Sequence, residues 1–459
     1  MSSLRTSPTV AVQQAFRIVQ YNVRRFLTPA GDSTVSQIAS ALAPLKPDIV
    51  CLNEVDLRKD PDCLTSLASQ LSTLQGNKTQ YEISFWGHVK ELYGNAVLTA
   101  RETFAVTKVV KHHVPGGSCF SFPAGTKKLN GEIAKENESH RIARGLLEVW
   151  VSFREETARG RPRREGTARP GDGEYSSPEL HELQTEQQKT TATEKPNSPA
   201  HPATSLSTSN NLFRIFATHL DHIAEQERET QLRFVREQLV SHESPAILVG
   251  DLNALTKADY SEAEWRTLEE RHAEKGWAAP SSGCLDIVLK EQQQSTTGEE
   301  SGSQHALFPK LVDTFAAYHR SQIQHPPAGS VQHAHQADLS TLPAAQKFSA
   351  HVGHPLYRID YCLASEDVSA VVATAADGTK NVLQEKAGLA VLDGWRVDRA
   401  EILSNIQLSD HFPVLTEFVR DRELVWDDVV QSVGASDKKE KPSEESGNLE
   451  LQTSKIFAY

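Results

Sequence analysis

The sequence predicts a layered α/β fold, and two observations carry this prediction. Short apolar runs, typical of buried strands, alternate along the chain with stretches that have the apolar spacing of amphipathic helices. Some of the predicted strands also follow one another without an intervening helix. This mixed order is typical of sheets that pack in layers with helices.

The stretch 246–253, A-I-L-V-G-D-L-N, is the most informative of these runs. Its apolar residues lead into a glycine, which predicts a buried strand and the point where it ends. Because residues two apart in an extended chain point to the same side, Asp251 and Asn253 leave this strand together. Polar groups at the mouth of a buried strand indicate either a strand-end turn or a functional site.

The N-terminal part of the chain is predicted to contain four strands, at residues 16–22, 48–53, 94–99 and 144–153. Two helices are predicted between them, at 33–45 and 62–74, because apolar residues recur there at helical spacing. Pro47 ends the first helix, and the strand after it leads into Glu54.

The C-terminal part is predicted to contain strands at 213–218, 246–250, 358–363 and 408–418, and helices at 225–240 and 261–275. All these elements are assigned to one domain, 16–420. Residues 154–211 have almost no large apolar side chains, so they are predicted to be a disordered insertion within that domain. The charged residues 427–459 are predicted to be a disordered tail, and the polar stretch 322–348 a loop.

Composition limits the functions that the chain can have. Its net charge of −12 and isoelectric point of about 5.9 exclude a broad basic surface for nucleic acid, although a local basic groove is compatible with them. No apolar run reaches the ~20 residues that a membrane span requires. The five cysteines lack a C-x-x-C pair, which argues against a disulfide framework and a zinc cluster. We expect a monomeric protein with reduced cysteines in the cytoplasm, with the nucleus or an organelle as the alternative compartment.

Polar side chains recur where the predicted strands end or begin. Each one alone is commonly a cap or a hydrogen-bonded buried group, but together they form an oxygen-rich set of the kind that Mg²⁺ prefers. The set includes two histidines, and no nucleophilic Ser or Cys motif accompanies it, which indicates metal-assisted hydrolysis by water. Its members are Asn22, Glu54, His219, Asp251, Asn253, Asp360, Asp410 and His411.

These residues lie in short motifs that follow one another between residues 16 and 418. The motifs are V-Q-Y-N, I-V-C-L-N-E-V, G-N-A-V-L-T, A-T-H-L-D-H, V-G-D-L-N, R-I-D-Y and L-S-D-H-F-P-V. In this order they resemble the motifs of the endonuclease/exonuclease/phosphatase superfamily, which includes deoxyribonuclease I. An ordered series of motifs is far more specific than G-D-L-N alone.

The resemblance implies a four-layer α/β/β/α sandwich, in which two mixed β-sheets pack face to face with helices outside them. It also implies that the site lies at one edge of this sandwich. Glu54 would be the principal ligand of Mg²⁺, for which Mn²⁺ could substitute. Asn22 and Asp410 would lie near the metal or the scissile phosphate.

The resemblance also implies roles for the other residues of the set. Asp251 would orient and deprotonate the attacking water, with help from Asn253. His411, held by Asp360, would contact the phosphate or act as an acid or base, and His219 would stabilise charge on the phosphoryl oxygens. A carboxylate beside an imidazole fixes its tautomer and favours imidazolium, which suits contact with an anionic transition state.

The substrate implied by the resemblance is a phosphoester, and we expect a nucleic-acid phosphodiester. The alternatives are a phosphatase for phosphoinositides or other small phosphoesters, and a catalytically inactive scaffold that binds partners through its insertions. No motif assigns substrate-binding residues. Arg144, just before a predicted strand, is expected to be a surface side chain, with an additional contact to the phosphate as the alternative.

Overall fold

The structure of the chain is a computed structural model, and it describes residues 9–121, 139–154, 212–242, 244–277, 279–290, 310–324, 339, 342, 344–352, 355–366, 390–391 and 395–425. The predicted insertion at 154–211, apart from Arg154, and the predicted tail at 427–459 lie outside these residues. The predicted disorder of both segments and the domain limits 16–420 therefore stay predictions.

The strands of the described residues are β1 (Thr9–Asn22), β2 (Ile49–Asp56), β3 (Tyr81–Val89), β4 (Tyr93–Ala100), β5 (Phe104–Val114), β6 (Cys119–Ser121), β7 (Ser139–Arg141), β8 (Arg144–Phe153), β9 (Leu212–His219), β10 (Ala246–Asp251), β11 (Leu311–Asp313), β12 (Asp360–Ser365), β13 (Ala390–Val391), β14 (Trp395–Ile402) and β15 (Val414–Val425). Sheet 1 has the order β13-β14-β15-β1-β2-β4-β3, and sheet 2 has the order β11-β12-β10-β9-β8-β5. Strands β6 and β7 pair separately. Both sheets are mixed, since β1 is parallel to β2 but antiparallel to β15, and β10 is parallel to β9 but antiparallel to β12.

The helices of the described residues are α1 (Val35–Leu42), α2 (Cys63–Leu74), α3 (Glu225–Val240), α4 (Glu262–Glu274), α5 (Asp286–Leu289), α6 (Thr314–Gln324) and α7 (Ala344–Lys347). Helices α1 and α2 pack on the outer face of sheet 1, and α3 and α5 pack on the outer face of sheet 2. The largest core lies between the two sheets. The layers therefore run helix, sheet, sheet, helix, which confirms the predicted four-layer sandwich.

The alternation of side chains along the strands explains how this fold makes a polar site. In β1, Phe16 and Ile18 face the core between the sheets, and Gln20 and Asn22 continue the same face. In β10, the core residues Ile247 and Val249 are followed on that face by Asp251. The inner face of several strands thus changes from apolar to polar at the same edge of the sandwich.

Several boundaries differ from the sequence prediction for identifiable reasons. Strands β3, β5 and β14 were not predicted, because their half-exposed residues form no continuous apolar run. The last strand begins at Val414 rather than at 408, because Pro413 has no N–H to donate and the Phe412 N–H bonds to Ser349 O at 2.7 Å. The predicted loop 322–348 contains helix α7. Among the described residues, no helix is long and apolar enough to cross a membrane.

Candidate active site

A β-bulge at the polar edge of the sandwich places Glu54 in the site. The pairing of β2 with β4 shifts register between Leu52 and Val55, and Glu54 has a φ of 59°. Leu52 and Val55 both pack towards the outer helices, although strict alternation would turn Val55 inward. The bulge brings the Glu54 carboxylate to the Asn22 side chain, whose Nδ2 donates to Glu54 Oε1 at 3.2 Å. A left-handed backbone at a non-glycine residue costs about 1–3 kcal/mol, and residues strained in this way cluster at functional sites.

Buried amides join the two sheets beneath the site. Asn53 donates from Nδ2 to Asn95 Oδ1 at 3.0 Å and to the Thr218 carbonyl oxygen at 2.9 Å. Asn53 Oδ1 accepts from Gln20 Nε2 at 3.1 Å and from the Asp251 backbone N–H at 3.0 Å. We call Gln20, Asn53 and Asn95 the amide layer. Because its members bond to both sheets, the amide layer fixes how β10 sits against β1 and β2.

Asp251 owes its position to the glycine before it. Gly250 has a φ of 152°, and a Cβ there would lie 1.9 Å from the Thr218 carbonyl oxygen, so only glycine fits. The Asp251 carboxylate accepts from Asn22 Nδ2 at 3.1 Å and from the Asn253 backbone N–H at 3.1 Å. In the motif G-D-L-N, the glycine thus allows the backbone to lie close to Thr218, the aspartate supplies the carboxylate, and the N–H of the asparagine holds that carboxylate.

Two imidazoles approach the same carboxylate oxygen in different electrostatic environments. His219 Nε2 lies 3.5 Å from Asp251 Oδ2, and His411 Nε2 lies 3.8 Å from that atom. Burial, followed by the positive charge of Arg144, holds the pKa of His219 well below its ordinary value. Burial and the charge of Asp360 raise the pKa of Asp251 to about 7. Because its own pKa is lowered, His219 is neutral at neutral pH.

His411 is held in the opposite charge state by Asp360. His411 Nδ1 and Asp360 Oδ2 are 2.8 Å apart. Burial alone would lower the pKa of His411, but the charge and hydrogen bond of Asp360, together with the charge of Asp251, raise it to about 10. Asp360 is itself oriented by Gln20 Nε2, at 2.8 Å from its Oδ1, and by the Ser349 hydroxyl, which accepts from the Asp360 N–H at 3.1 Å.

The loop after His219 is fixed by another buried carboxylate, that of Asp221. It accepts from the Ser118 N–H and hydroxyl at 2.8 Å, the Ile223 N–H at 2.8 Å and the Ala224 N–H at 3.0 Å. Burial would raise the pKa of Asp221, but these donors together lower it. The carboxylate of T-H-L-D-H, that of Asp221, therefore orders the loop beside the site.

Two groups of side chains offer ligands for a divalent cation. The ligand atoms of Asp251, Asp360 and His411 lie within 4.8 Å of one another. However, both Asp360 oxygens already accept hydrogen bonds, from Gln20 and from His411. The second group is Glu54 and Asp251. Asn22 Nδ2 donates to both carboxylates, so two hard oxygen ligands lie close together there. This donor set fits Mg²⁺ or Mn²⁺.

Asp410, the third predicted metal ligand, lies at the rim of the site. Its Oδ2 is 3.8 Å from Arg24 Nε, and the Arg24 N–H donates to Asn22 Oδ1 at 3.1 Å. Asp410 is therefore connected to Asn22 through a single residue. Arg24, Arg25 and Phe26 have φ values of 45°, 62° and 56°, and this left-handed turn carries two half-exposed arginines beside the site.

The structure brings the eight predicted residues to one edge of the sandwich and adds residues that the sequence analysis missed. The amide layer was missed, although Gln20 continues the inner-face spacing that contains Asn22. Arg144 was expected at the surface, and this was wrong, because its side chain is only 4% exposed. It lies at the start of β8, covered by the loop that follows His219.

The sequence model of the endonuclease/exonuclease/phosphatase family matches residues 19–411. The chain belongs to this family. Membership of the endonuclease/exonuclease/phosphatase family makes the chain a hydrolase of phosphoesters, in a family whose enzymes generally depend on a divalent metal ion. No curated protein matches the chain by sequence.

Solved structures with a similar fold include a family protein from Bacteroides thetaiotaomicron, at 12% identity and a TM-score of 0.43, covering 90% of this chain and 97% of that one. The human Nocturnin catalytic domain is 13% identical, with a TM-score of 0.42 and coverage of 89% of this chain and 97% of that one. A mannosyl-6-phosphatase from Bacteroides thetaiotaomicron is 12% identical, with a TM-score of 0.41 and coverage of 88% and 99%.

Proposed function

We propose that this member of the endonuclease/exonuclease/phosphatase family hydrolyses nucleic-acid phosphodiester bonds by metal-assisted attack of water. The observation that carries the proposal is the environment of Asp251. Oδ2 of its buried carboxylate accepts from Asn22 Nδ2, which also donates to Glu54, and the same oxygen lies 3.5 Å from His219 Nε2 and 3.8 Å from His411 Nε2. A base, hard oxygen ligands and two nitrogen groups of different charge thus converge on one point, as phosphoryl transfer to water requires.

Glu54, with Asn22 and Asp410, would hold a Mg²⁺ or Mn²⁺ ion, which would polarise the phosphoryl oxygens when bound. Glu54 would be the principal ligand of the three, because its carboxylate is a charged, hard oxygen donor at the site; it also hydrogen-bonds to the side chains of Asn22 and Tyr93. The Asn22 amide oxygen accepts a hydrogen bond from the Arg24 N–H. Rotation about the Cβ–Cγ bond of an asparagine exchanges the positions of its amide oxygen and nitrogen.

In the proposed reaction, Asp251 accepts the proton of the attacking water. The Asn253 N–H donates to its Oδ1 and the Asn22 amide donates to its Oδ2, so the carboxylate keeps one orientation. The imidazolium of His411, kept charged by Asp360, donates to a phosphoryl oxygen, and neutral His219 donates a hydrogen bond from its Nε2. This role is supported by the position of both Nε2 atoms, which lie 3.5 Å and 3.8 Å from Asp251 Oδ2.

The preference for a nucleic acid is supported by the turn that carries Arg24 and Arg25. Their side chains are 45% and 44% exposed next to Asn22 and Asp410, where the substrate on either side of the scissile phosphate would pass. Two arginines suffice for a short or single-stranded segment, whereas the overall charge of −12 disfavours long duplex DNA. Phosphoinositides and other small phosphoesters are the competing substrates.

A substrate panel tests this proposal. Duplex DNA, single-stranded DNA, RNA, a phosphoinositide and a chromogenic phosphodiester are each incubated with wild type, Asp251→Asn and Arg101→Gln, an exposed control at the opposite end of sheet 1. We expect turnover of single-stranded or short nucleic acid, abolished in Asp251→Asn and unchanged in Arg101→Gln. Turnover of the phosphoinositide alone would contradict the substrate class. Full turnover in Asp251→Asn would contradict the mechanism.

A further inference from the structure

Trp277 is a large aromatic side chain that lies at the surface just after helix α4. It is 52% exposed, whereas tryptophan is mostly buried in folded proteins because its ring has a large apolar area. Among the residues whose side chains the structure describes, it is the single exposed Phe, Tyr or Trp. One exposed apolar residue is common by itself, so the backbone and the neighbours of Trp277 decide whether its ring has a role.

The backbone at the end of α4 fixes the position of Trp277. Its N–H donates to the His272 carbonyl oxygen at 2.8 Å, and the Gly276 N–H donates to the Ala273 carbonyl oxygen at 3.1 Å. Gly276 has a φ of 65°, the left-handed conformation with which glycine ends helices. These bonds hold the backbone of Trp277 in place although its ring is exposed. A ligand that stacks on a ring held in this way orders little of the protein when it binds.

A row of rings connects Trp277 to the candidate active site. The centre of the His272 ring lies 5.4 Å from that of Trp277 and 6.4 Å from that of Tyr357. The exposed His351 ring lies 5.7 Å from Tyr357 and 6.0 Å from His411. Tyr357 is only 9% exposed, so the rings most open to a ligand are those of Trp277 and His351. These steps place Trp277 less than about 24 Å from His411, which about seven stacked nucleotides span.

The backbone on both sides of His351 is attached to the loop that carries His411. The Val352 N–H donates to the Asp410 carbonyl oxygen at 3.0 Å, and Ala350 forms an antiparallel β-bridge with His411. The position of the His351 ring is therefore tied to that of the His411 ring. A substrate chain that leaves His411 along this segment meets the His351 ring first.

Two cations lie along the same row of rings. Lys275 Nζ lies 4.5 Å from the centre of the Trp277 ring, and Arg271 Cζ lies 5.7 Å from the centre of the Tyr357 ring. Neither cation forms an ion pair with a carboxylate of the described residues. Because the phosphates of a nucleic acid are anions, unpaired cations beside exposed rings complement its backbone.

We infer that Trp277, His351, Arg271 and Lys275 form an aromatic platform that binds single-stranded nucleic acid next to the active site. Trp277 and His351 stack on bases, and the two cations neutralise phosphates between those bases. Proteins that bind single strands without sequence preference combine these two kinds of contact. The bases of a duplex already stack on one another, so the platform selects single strands. The inference rests on the proposed function only in taking the bound strand as the substrate.

Oligonucleotide binding in EDTA, measured by fluorescence anisotropy with the full chain, tests the platform. The probes are labelled decathymidylate and a deoxyribose-phosphate decamer of equal charge that lacks bases. We expect Trp277→Ala to bind decathymidylate roughly fivefold or more weakly than wild type, and Trp277→Phe to retain part of the affinity. Leu74→Ala, which shortens a 53% exposed side chain at the end of α2, is the control and should bind like wild type. The decamer without bases should bind wild type and Trp277→Ala equally.

Three results would overturn the platform. The first is equal affinity of wild type and Trp277→Ala for decathymidylate. The second is an equal loss of affinity for the decamer without bases, because stacking requires a base. The third is self-association that Trp277→Ala abolishes while oligonucleotide affinity is unchanged, which sedimentation velocity would detect and which would make this surface a protein interface.

The two cations are tested by the salt dependence of binding. Lys275→Gln and Arg271→Gln should each lower the slope of log affinity against log salt concentration by about one, since each removes one phosphate contact. Trp277→Ala should leave that slope unchanged, because stacking releases no counterions. Slopes equal to that of wild type in both charge variants would contradict the contact between these cations and the strand.

A kinetic comparison separates failure of the platform from failure of the proposed function. Trp277→Ala should lower kcat/KM for decathymidylate and leave kcat/KM for bis(p-nitrophenyl) phosphate unchanged, because the smaller substrate does not reach Trp277. Hydrolysis of decathymidylate with equal kcat/KM in wild type and Trp277→Ala contradicts the inference and leaves the proposed function intact. Binding that depends on Trp277, in a chain that hydrolyses no nucleic acid, contradicts the proposed function and leaves the platform intact.

Discussion

Gln20 of sheet 1 donates a hydrogen bond from Nε2 to Oδ1 of Asp360 in sheet 2, at 2.8 Å. The same nitrogen lies 3.1 Å from Asn53 Oδ1, so one amide joins the amide layer to the carboxylate that pairs with His411. The orientation of His411 therefore depends on how the two sheets pack, and not only on the residues of its own strand.

The first prediction concerns this contact between the sheets. Gln20→Leu removes the donor to Asp360 Oδ1 and leaves that oxygen buried with one partner fewer, which should lower the free energy of unfolding by about 1–3 kcal/mol. Urea denaturation followed by tryptophan fluorescence measures the change. Gln226→Leu, at an exposed position of helix α3, is the control. Equal denaturation midpoints for the two variants would show that the contact contributes nothing to stability.

The sequence predicted the fold class and the strand-end residues because both depend on local pattern. The apolar run before Asp251 and the alternation before Asn22 each predict a strand, its buried face and its end. Once the strands belong to one layered fold, polar residues at their ends must meet at one edge. The resemblance then supplied roles that the pattern could not distinguish.

The sequence could not predict the features that arise from tertiary packing. The bulge at Glu54 depends on the pairing of β2 with β4, and no local signal marks it. The burial of Arg144 depends on the loop after His219, which closes over it through His222. The charge difference between His219 and His411 depends on Asp360, which hydrogen-bonds to His411, and on Arg144, whose charge lowers the pKa of His219. Gln20 could have been found, since it lies two residues before Asn22 on the same face.

The second prediction concerns the metal ion. Glu54→Gln keeps the shape of the side chain but replaces a charged ligand, so Mg²⁺ or Mn²⁺ affinity should fall at least about tenfold. The metal-dependent rise in melting temperature, measured in Mn²⁺ titrations, reports this affinity directly. Glu82→Gln, a half-exposed position on β3, serves as the control. Hydrolysis by wild type that persists after dialysis against EDTA would contradict metal dependence.

The third prediction concerns the glycine before Asp251. Gly250→Ala forces a side chain into a left-handed φ and against the Thr218 carbonyl oxygen, so it should lower the free energy of unfolding by at least about 1–3 kcal/mol. Gly283→Ala is the matched control, because nothing lies within 4 Å of the position that its Cβ would take. Urea midpoints of the two variants provide the comparison. If both variants unfold at the same midpoint, the close approach at Gly250 has no energetic importance.

The fourth prediction concerns the pH dependence of stability and the buried His88. Burial, followed by the charges of Arg144 on β8 and His113 on β5, lowers the pKa of His88 from its ordinary 6.5 to about 3, with the Tyr93 ring of β4 packed against it. Between these two pH values the unfolded chain binds a proton that the folded chain does not. The contribution of His88 to stability is therefore fully present above pH 6.5 and is lost as the pH falls towards 3.

His88→Gln should remove this dependence. In phosphate-free buffers, the free energy of unfolding of wild type should fall more steeply than that of His88→Gln between about pH 6 and pH 4, by up to about 1.4 kcal/mol per pH unit. His242→Gln, which replaces an exposed histidine, should retain the wild-type slope. Urea denaturation at half-unit steps of pH measures all three slopes. Identical slopes for wild type and His88→Gln would mean that His88 takes up its proton in the folded state as readily as in the unfolded chain, and that its nitrogens have partners.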